Sequence, residues 1–281
     1  MRCLPTFSTH FLATTVSRFA LLSIIAVSSI AHAGVVGTIA DSVSNTVYRH
    51  SLPKDPNARI RAGLNASFNH SEYATGETMS VLPQLFYDNN RLYADGSEAG
   101  VYGYKDDKNL LRFGLSYDGQ FFDPDEGDTA AIKQLDERKW SALAGASYMR
   151  ITPIGGIRLK VATDVLDRHN GTVTSLAHLS KFDYNKWTFY PEIGVKCNDK
   201  NYNNYYYGVS QKESAKSDLP AYTAKSSVNP YANLTASYAF DDRLSGFVSQ
   251  HIGYLADTQH DSPMIDSHND LTTKLGFNYQ F

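Results

Sequence analysis

Four places in the sequence gather side chains that could do chemistry. His70-Ser71-Glu72 sets an imidazole, a hydroxyl and a carboxylate side by side, the group types of a nucleophilic hydrolase. Neighbouring residues at a strand end point in different directions, so these three cannot form the chain of hydrogen bonds that a triad needs. No G-x-S-x-G elbow occurs, and Ser210 in YYYGVS lacks the glycine that would follow it. Asp123 to Asp128, DPDEGD, carries part of a calcium loop but neither the full ligand pattern nor the closing glutamate; it reads as a solvated acidic loop. His251, His260 and His268 match no zinc spacing. Tyr202, Tyr205, Tyr206 and Tyr207 fit an aromatic girdle better than a ligand cage. The sequence predicts no catalytic residue, no metal ligand and no cofactor, and hence a protein that is not an enzyme.

The elements that would carry these residues follow from the ends of the chain and its periodicity. Met1 to Ala33 has Arg2 and Arg18, no acid, the apolar run FALLSIIAVSSI and then Ala31-His32-Ala33. This pattern predicts an export leader over residues 1–33, cleaved before Gly34. Its apolar run is about half of the ~20 residues that span a bilayer. Removing the leader removes Cys3 and leaves Cys197, so no internal disulfide is expected in an oxidising compartment. A formal charge of −3 offers no basic patch for nucleic acid. Mean hydropathy is −0.36, which suits a soluble sandwich or a membrane barrel, since a barrel wall needs only alternate residues to be apolar.

From Ala58 onward the chain alternates with period two. Ile60, Ala62, Leu64, Ala66 and Phe68 face one way, and Arg59, Arg61, Asn65 and Ser67 the other. Leu111, Phe113 and Leu115 alternate with Arg112 and Ser116, and Ile157, Leu159 and Val161 with Arg158 and Lys160. The last strand repeats the pattern and stops on an aromatic: Leu275, Phe277, Tyr279 and Phe281 share one side. A β-sandwich would turn the polar face to water; a barrel would turn it to a lumen where Arg59, Arg61, Arg112, Arg158, Lys160, Asp164 and Glu192 could pair. Runs of about ten residues, bracketing aromatics and the aromatic end favour a transmembrane antiparallel β-barrel of about twelve strands. Strands are predicted at 58–68, 77–87, 91–105, 109–122, 138–150, 156–166, 171–182, 186–196, 201–209, 228–240, 243–256 and 270–281. Residues 1–33, 34–57 and 58–281 are then leader, N-terminal arm and barrel.

The sequence resembles the MipA/OmpV family of outer-membrane proteins. The stretches that carry the resemblance are VLPQLFYDNNRLYADGSEAGVYGY, LLRFGLSY, NYNNYYYGVSQKES, LPAY, DSPMI and the terminal LGFNYQF, over most of residues 58–281. Gly34 to Asn57 shows no recognised counterpart and is expected to be a periplasmic arm or an extra strand. The resemblance implies a Gram-negative outer-membrane protein in contact with outer-membrane lipid. It also implies that Leu275, Phe277, Tyr279 and Phe281 form a signal read by the barrel-assembly machinery. It further implies a scaffold for murein synthesis that bridges a lytic murein transglycosylase and a bifunctional penicillin-binding protein, with a porin-like channel or a surface adhesin as the alternative.

A scaffold needs a periplasmic surface. Strand parity puts Asn69 to Gly76, Ser210 to Ser227 and Asp257 to Asn269 outside, and Phe122 to Glu137 on the periplasmic side. There, Ala130, Ala131, Ile132 and Leu135 would form one apolar side of a short helix. Asp123, Asp125, Glu126 and Asp128 would steer a basic partner onto it.

Overall fold

The computed structural model describes residues 51–70, 72–75 and 78–281. Twelve antiparallel strands close on themselves: β1 Arg61–His70, β2 Thr78–Asp88, β3 Leu92–Gly96, β4 Glu98–Lys105, β5 Asn109–Asp118, β6 Ser141–Thr152, β7 Gly155–Asp164, β8, β9 Trp187–Asn198, β10 Ser227–Ala239, β11 Leu244–Tyr254 and β12 Asn269–Gln280. β8 runs in two segments, Thr172–Leu179 and Phe182–Tyr184, both paired to β9. The break lies beside Pro191, which has no N–H to give to a ladder, although its carbonyl still accepts from Ser180 N at 2.9 Å. Pairing of β12 with β1 along Arg61–His70 completes the cylinder, and with it most of the wall's backbone groups find partners.

Burial decides between sandwich and barrel, because here it is inverted. On β1 and β12 the apolar Leu64 and Phe277 are each 60% exposed, whereas Ser67 and Asn278 are 4% and 8% exposed. Apolar side chains face outward and polar ones fill the interior, as lipid outside and a closed lumen inside require. Rings link around the end that holds the C-terminus: Trp187 lies 5.0 Å from Tyr238, Tyr238 5.3 Å from Phe240, and Phe240 6.4 Å from Phe277. Phe281 joins this belt and donates its N–H to Ile60 O at 3.0 Å.

The expected strand number holds, but two of the expected strands are wrong and their errors cancel. Residues 91–105 form a hairpin, β3 and β4, because Gly96 takes φ +66° in a two-residue turn that other residues resist. Residues 201–209 are not a strand: Lys200–Tyr207 is a helix, α1, whose N-terminus is capped by the Asp199 carboxylate accepting from Tyr202 N. The extra strand before β5 reverses parity for the segment that follows. Phe122 to Glu137 therefore lies at the same end as residues 72–75, α1, the helix α2 Gln211–Ser217 and the helix α3 Asp257–His260. The opposite end has tight turns, such as Asp106 to Lys108, and both chain ends of the barrel.

Residues 51–57 lie along that short-turn end and form no strand. Leu52 N donates to Lys105 O at 2.7 Å and Asp55 N to Asn89 O at 2.9 Å. Arg91 Nη1 donates to Leu52 O at 2.7 Å. The expected leader, and residues 34–50 of the expected arm, lie outside the described residues.

Outer-membrane barrels keep short turns in the periplasm and long loops outside, so the loop holding Asp125 should face the medium. In a Cys197→Ser background, Asp125→Cys should react with a membrane-impermeant maleimide on whole cells, and Asp107→Cys only after the membrane is opened. The reverse pattern would invert this orientation.

Candidate functional site

The long loops interlock into a cap over the outer mouth. Tyr73, Phe122, Ile132, Leu135, Tyr202, Tyr206, Tyr207, Val209, Leu255 and Met264 form its apolar core, and the inward-facing Leu143, Ala162 and Val173 of the upper wall pack beneath it. Short bridges tie one loop to another at Tyr73–Ile265 and Thr75–Gly127, and brace single loops at Phe122–Arg138 and Val209–Tyr222. Tyr73 stacks on Tyr207 at a centroid distance of 5.8 Å and meets the tilted ring of Phe122 at 5.1 Å.

One ion pair pins α2 to the loop after β5. Arg138 Nη2 lies 2.6 Å from Glu213 Oε1, with both side chains buried, and the same guanidinium reaches Asp136 O and Gly208 O. Glu213 also closes a capping box with Ser210 at the start of α2. Burial alone would raise the Glu213 carboxyl. Hydrogen bonds from Ser210 N, Arg138, the Ser210 hydroxyl and Asp136 N overcome that and hold it at about 2. Glu72, also in the cap, moves the other way: burial, then the charge of Asp270, raises it against hydrogen bonds from Gln120 and Tyr207. Burial lowers His169, which sits among Tyr202, Tyr205 and Tyr206 with Nε2 3.8 Å from Asp118.

Below the cap, ion pairs bridge nearby strands on the lumen face. Arg158 meets Glu192 at 2.9 Å, Lys160 meets Glu98 at 2.5 Å and Arg112 meets Asp95 at 3.2 Å. Tyr231 and Tyr93 donate their hydroxyls to Glu192 and Glu98, both at 2.6 Å. Between cap and pairs lies a cavity of about 480 Å³ that reaches Asp118, Lys196, Asn198 and His251. A second, of about 470 Å³, lies against β1, β2 and β12. The arrangement is a barrel whose outer mouth is filled by the packed core of the described loops, with small polar chambers beneath it.

A family model described as MltA-interacting protein MipA matches residues 36–281. The chain belongs to the MipA family. The MipA match also takes in most of the segment between Gly34 and Asn57, for which the sequence motifs gave no counterpart. The MltA-interacting protein of Escherichia coli K12 is 34% identical over 200 residues, 71% of this chain and 81% of that one. The putative outer membrane protein YiaT of the same strain is 31% identical over 225 residues, 80% and 92% of the two chains. OmpV of Vibrio cholerae is 24% identical over 233 residues, 82% of each. Together with the inverted burial, MipA-family membership makes the chain an outer-membrane barrel.

The expected site residues distribute differently from their sequence reading. Arg158 and Glu192 do pair in the lumen, but Asp164 instead accepts the backbone N–H groups of the turn at Leu166, Arg168, His169 and Asn170. Arg61 lies over the Phe86 ring at 4.6 Å. Tyr202, Tyr206 and Tyr207 are cap core, not girdle. Ser71 lies outside the described residues, and Glu72 is held by Gln120 and Tyr207. His251 sits 3.6 Å from Asp270, while His260 and His268 stack on each other at 3.4 Å. The apolar face expected to dock a partner is not free. Ile132 and Leu135 are 2% and 4% exposed inside the cap, which buries them because parity places their loop beside α2. Asp123 accepts from Asp125 N and starts a 3₁₀ turn at Pro124–Glu126, and Asp128 N donates to Ala74 O. The capping box at Ser210 and Glu213 was the legible signal for α2, and Asp199 the signal for α1.

Because Glu213 is held below its ordinary value of 4.5, its stabilisation of the cap is complete above that pH and fades as the pH falls toward 2. Amide exchange in α2 should therefore quicken over that window. Arg138→Ala, which strands a buried carboxylate, should loosen the cap by about 3–5 kcal/mol at neutral pH and flatten the acid response. Exchange that ignores both changes would show that the pair does not hold the cap.

Proposed function

We propose that this barrel is an outer-membrane anchor for murein-remodelling enzymes, presented from its short-turn rim rather than from the loop at Asp123 to Leu135. The observation that carries it is the asymmetry of the two ends. The outer end is filled by interlocked loops, while the other end holds the segment 51–57 fixed against the turns at Asn89 and Lys105. A stable partner needs about 800 Å² on each side, more than tight turns offer; the N-terminal arm adds surface where the periplasmic enzymes are. The similarity to a protein named MltA-interacting protein supports a lytic murein transglycosylase as one partner, with a penicillin-binding protein as the second. The leader at 1–33 would deliver the chain, and the barrel-assembly machinery would read Leu275, Phe277, Tyr279 and Phe281.

Detergent pull-down of the full chain should recover a murein transglycosylase. Arg91→Ala, which releases Leu52 O, should weaken recovery several-fold, while Ile132→Ser and Leu135→Ser should loosen the cap and leave recovery intact. Loss of binding through the cap variants alone would place docking outside and contradict the proposal. Deleting Phe281 should lower the amount of heat-modifiable, membrane-inserted protein.

The lumen chambers favour a second reading, a gated channel. Planar-bilayer recording separates the two: the anchor reading expects no stable conductance from the capped barrel, and steady ion-selective openings would promote the channel.

A further inference from the structure

The wall is incomplete at one place. β2 runs from Thr78 to Asp88, yet its ladder with β3 covers only Leu85 to Asp88. The β3–β4 hairpin turns at Gly96-Ser97, level with Leu85, so Thr78 to Gln84 has β1 on one side and no strand on the other among the described residues. Pro83 lies in this stretch, and such an edge is where a strand admits proline. The cavity of about 470 Å³ passes through the gap. Its lining joins lumen-facing Asn65, Ser67 and Lys274 to the hairpin turn at Ser97 and to Gly119 and Phe121 beyond the wall.

The lining is amphipathic in a consistent direction. Leu82 and Phe121, 38% and 39% exposed, stand on the two sides of the gap. Other residues on the inward face of β2 at this height are Thr78, Ser80 and Gln84. Deeper in, the ammonium of Lys274, an exposed residue on the lumen face of β12, has no hydrogen bond or ion pair to a protein group among the described residues. Of the acids around it, Asp270, four residues earlier on the same strand, acts on the ammonium through its charge and lies 3.6 Å from His251, while Asp95 meets Arg112 at 3.2 Å and Glu72 accepts from Gln120 and Tyr207. Asp123 and Glu126 belong to the outer loop.

We propose that the gap between β2 and the segment 119–122 is a lateral portal that takes a single-chain amphiphile with an anionic head, the head pairing with Lys274 and the chain leaving past Leu82 and Phe121 into the outer leaflet. The packed core of the cap stands over the axial route, and the proposed entry is from the bilayer. A carboxylate and a phosphate monoester share the needed head chemistry. The site does not depend on the anchoring role.

The full barrel in zwitterionic nanodiscs should be photolabelled by dodecanoate bearing a terminal diazirine, chiefly on peptides containing Leu82 and Phe121. Unlabelled dodecanoate or dodecyl phosphate should compete, the stronger of the two naming the head group; dodecyl maltoside and acetate should not. A charge-assisted contact of about 1.5–3 kcal/mol corresponds to a loss of about tenfold or more, so Lys274→Gln should weaken labelling by that factor and Lys274→Arg should restore it. Phe121→Asp, outside the strand ladder, tests the chain path independently if Lys274→Gln fails to fold. Labelling spread evenly over the lipid-facing wall, equal competition by the maltoside, or indifference to both substitutions would overturn the portal.

Discussion

Everything in this molecule depends on closing a hydrogen-bond ladder in a medium that offers no replacement for a missing partner. The chain meets that constraint by pairing its last strand with its first, so that Phe281 N reaches Ile60 O and Leu64 lies opposite Phe277. Closure forces the side chains into two populations. Those outside need only be apolar, and those inside satisfy one another, which is why Arg158 finds Glu192 and Lys160 finds Glu98 on the lumen face. The outer mouth is a separate problem, solved by a small globular core made from loops and anchored by a buried Arg138–Glu213 pair.

Much of this was written in the period-two pattern. Leu64, Phe277 and Leu159 announce the lipid face, and the terminal aromatic announces a barrel. What the pattern hid was parity. Residues 91–105 alternate well enough to look like one strand, although Asp95-Gly96 is a strong hairpin signal. Asn201 to Tyr207 reads as an aromatic strand because tyrosine favours sheets, yet the Asp199 cap and the burial of Tyr202 with Tyr206, one turn apart, make it a helix. A single miscounted strand moved Ile132 and Leu135 from a supposed docking face into the core of the cap. Tertiary contacts across many residues, such as Arg138 with Glu213 or Tyr73 with Tyr207, leave no local trace in a sequence.

The ends of the barrel now have distinct physical characters. One end is packed and interlocked, its apolar core continuous with the upper wall. The other is a ring of tight turns and rings, with residues 51–57 hydrogen-bonded to it. The proposed anchoring of a periplasmic partner would fall to the second end, and the proposed exchange with the bilayer to the side of the wall where Thr78 to Gln84 of β2 lacks a second strand among the described residues.

Amide hydrogen exchange of the folded protein in bilayers, resolved residue by residue, measures that wall most directly. Within Thr78 to Gln84, the alternate amides that do not bond β1 should exchange quickly, while amides of β6, paired on both sides by β5 and β7, stay protected. Uniform protection along the whole of β2 would mean that the ladder is complete there and that the barrel has no lateral opening.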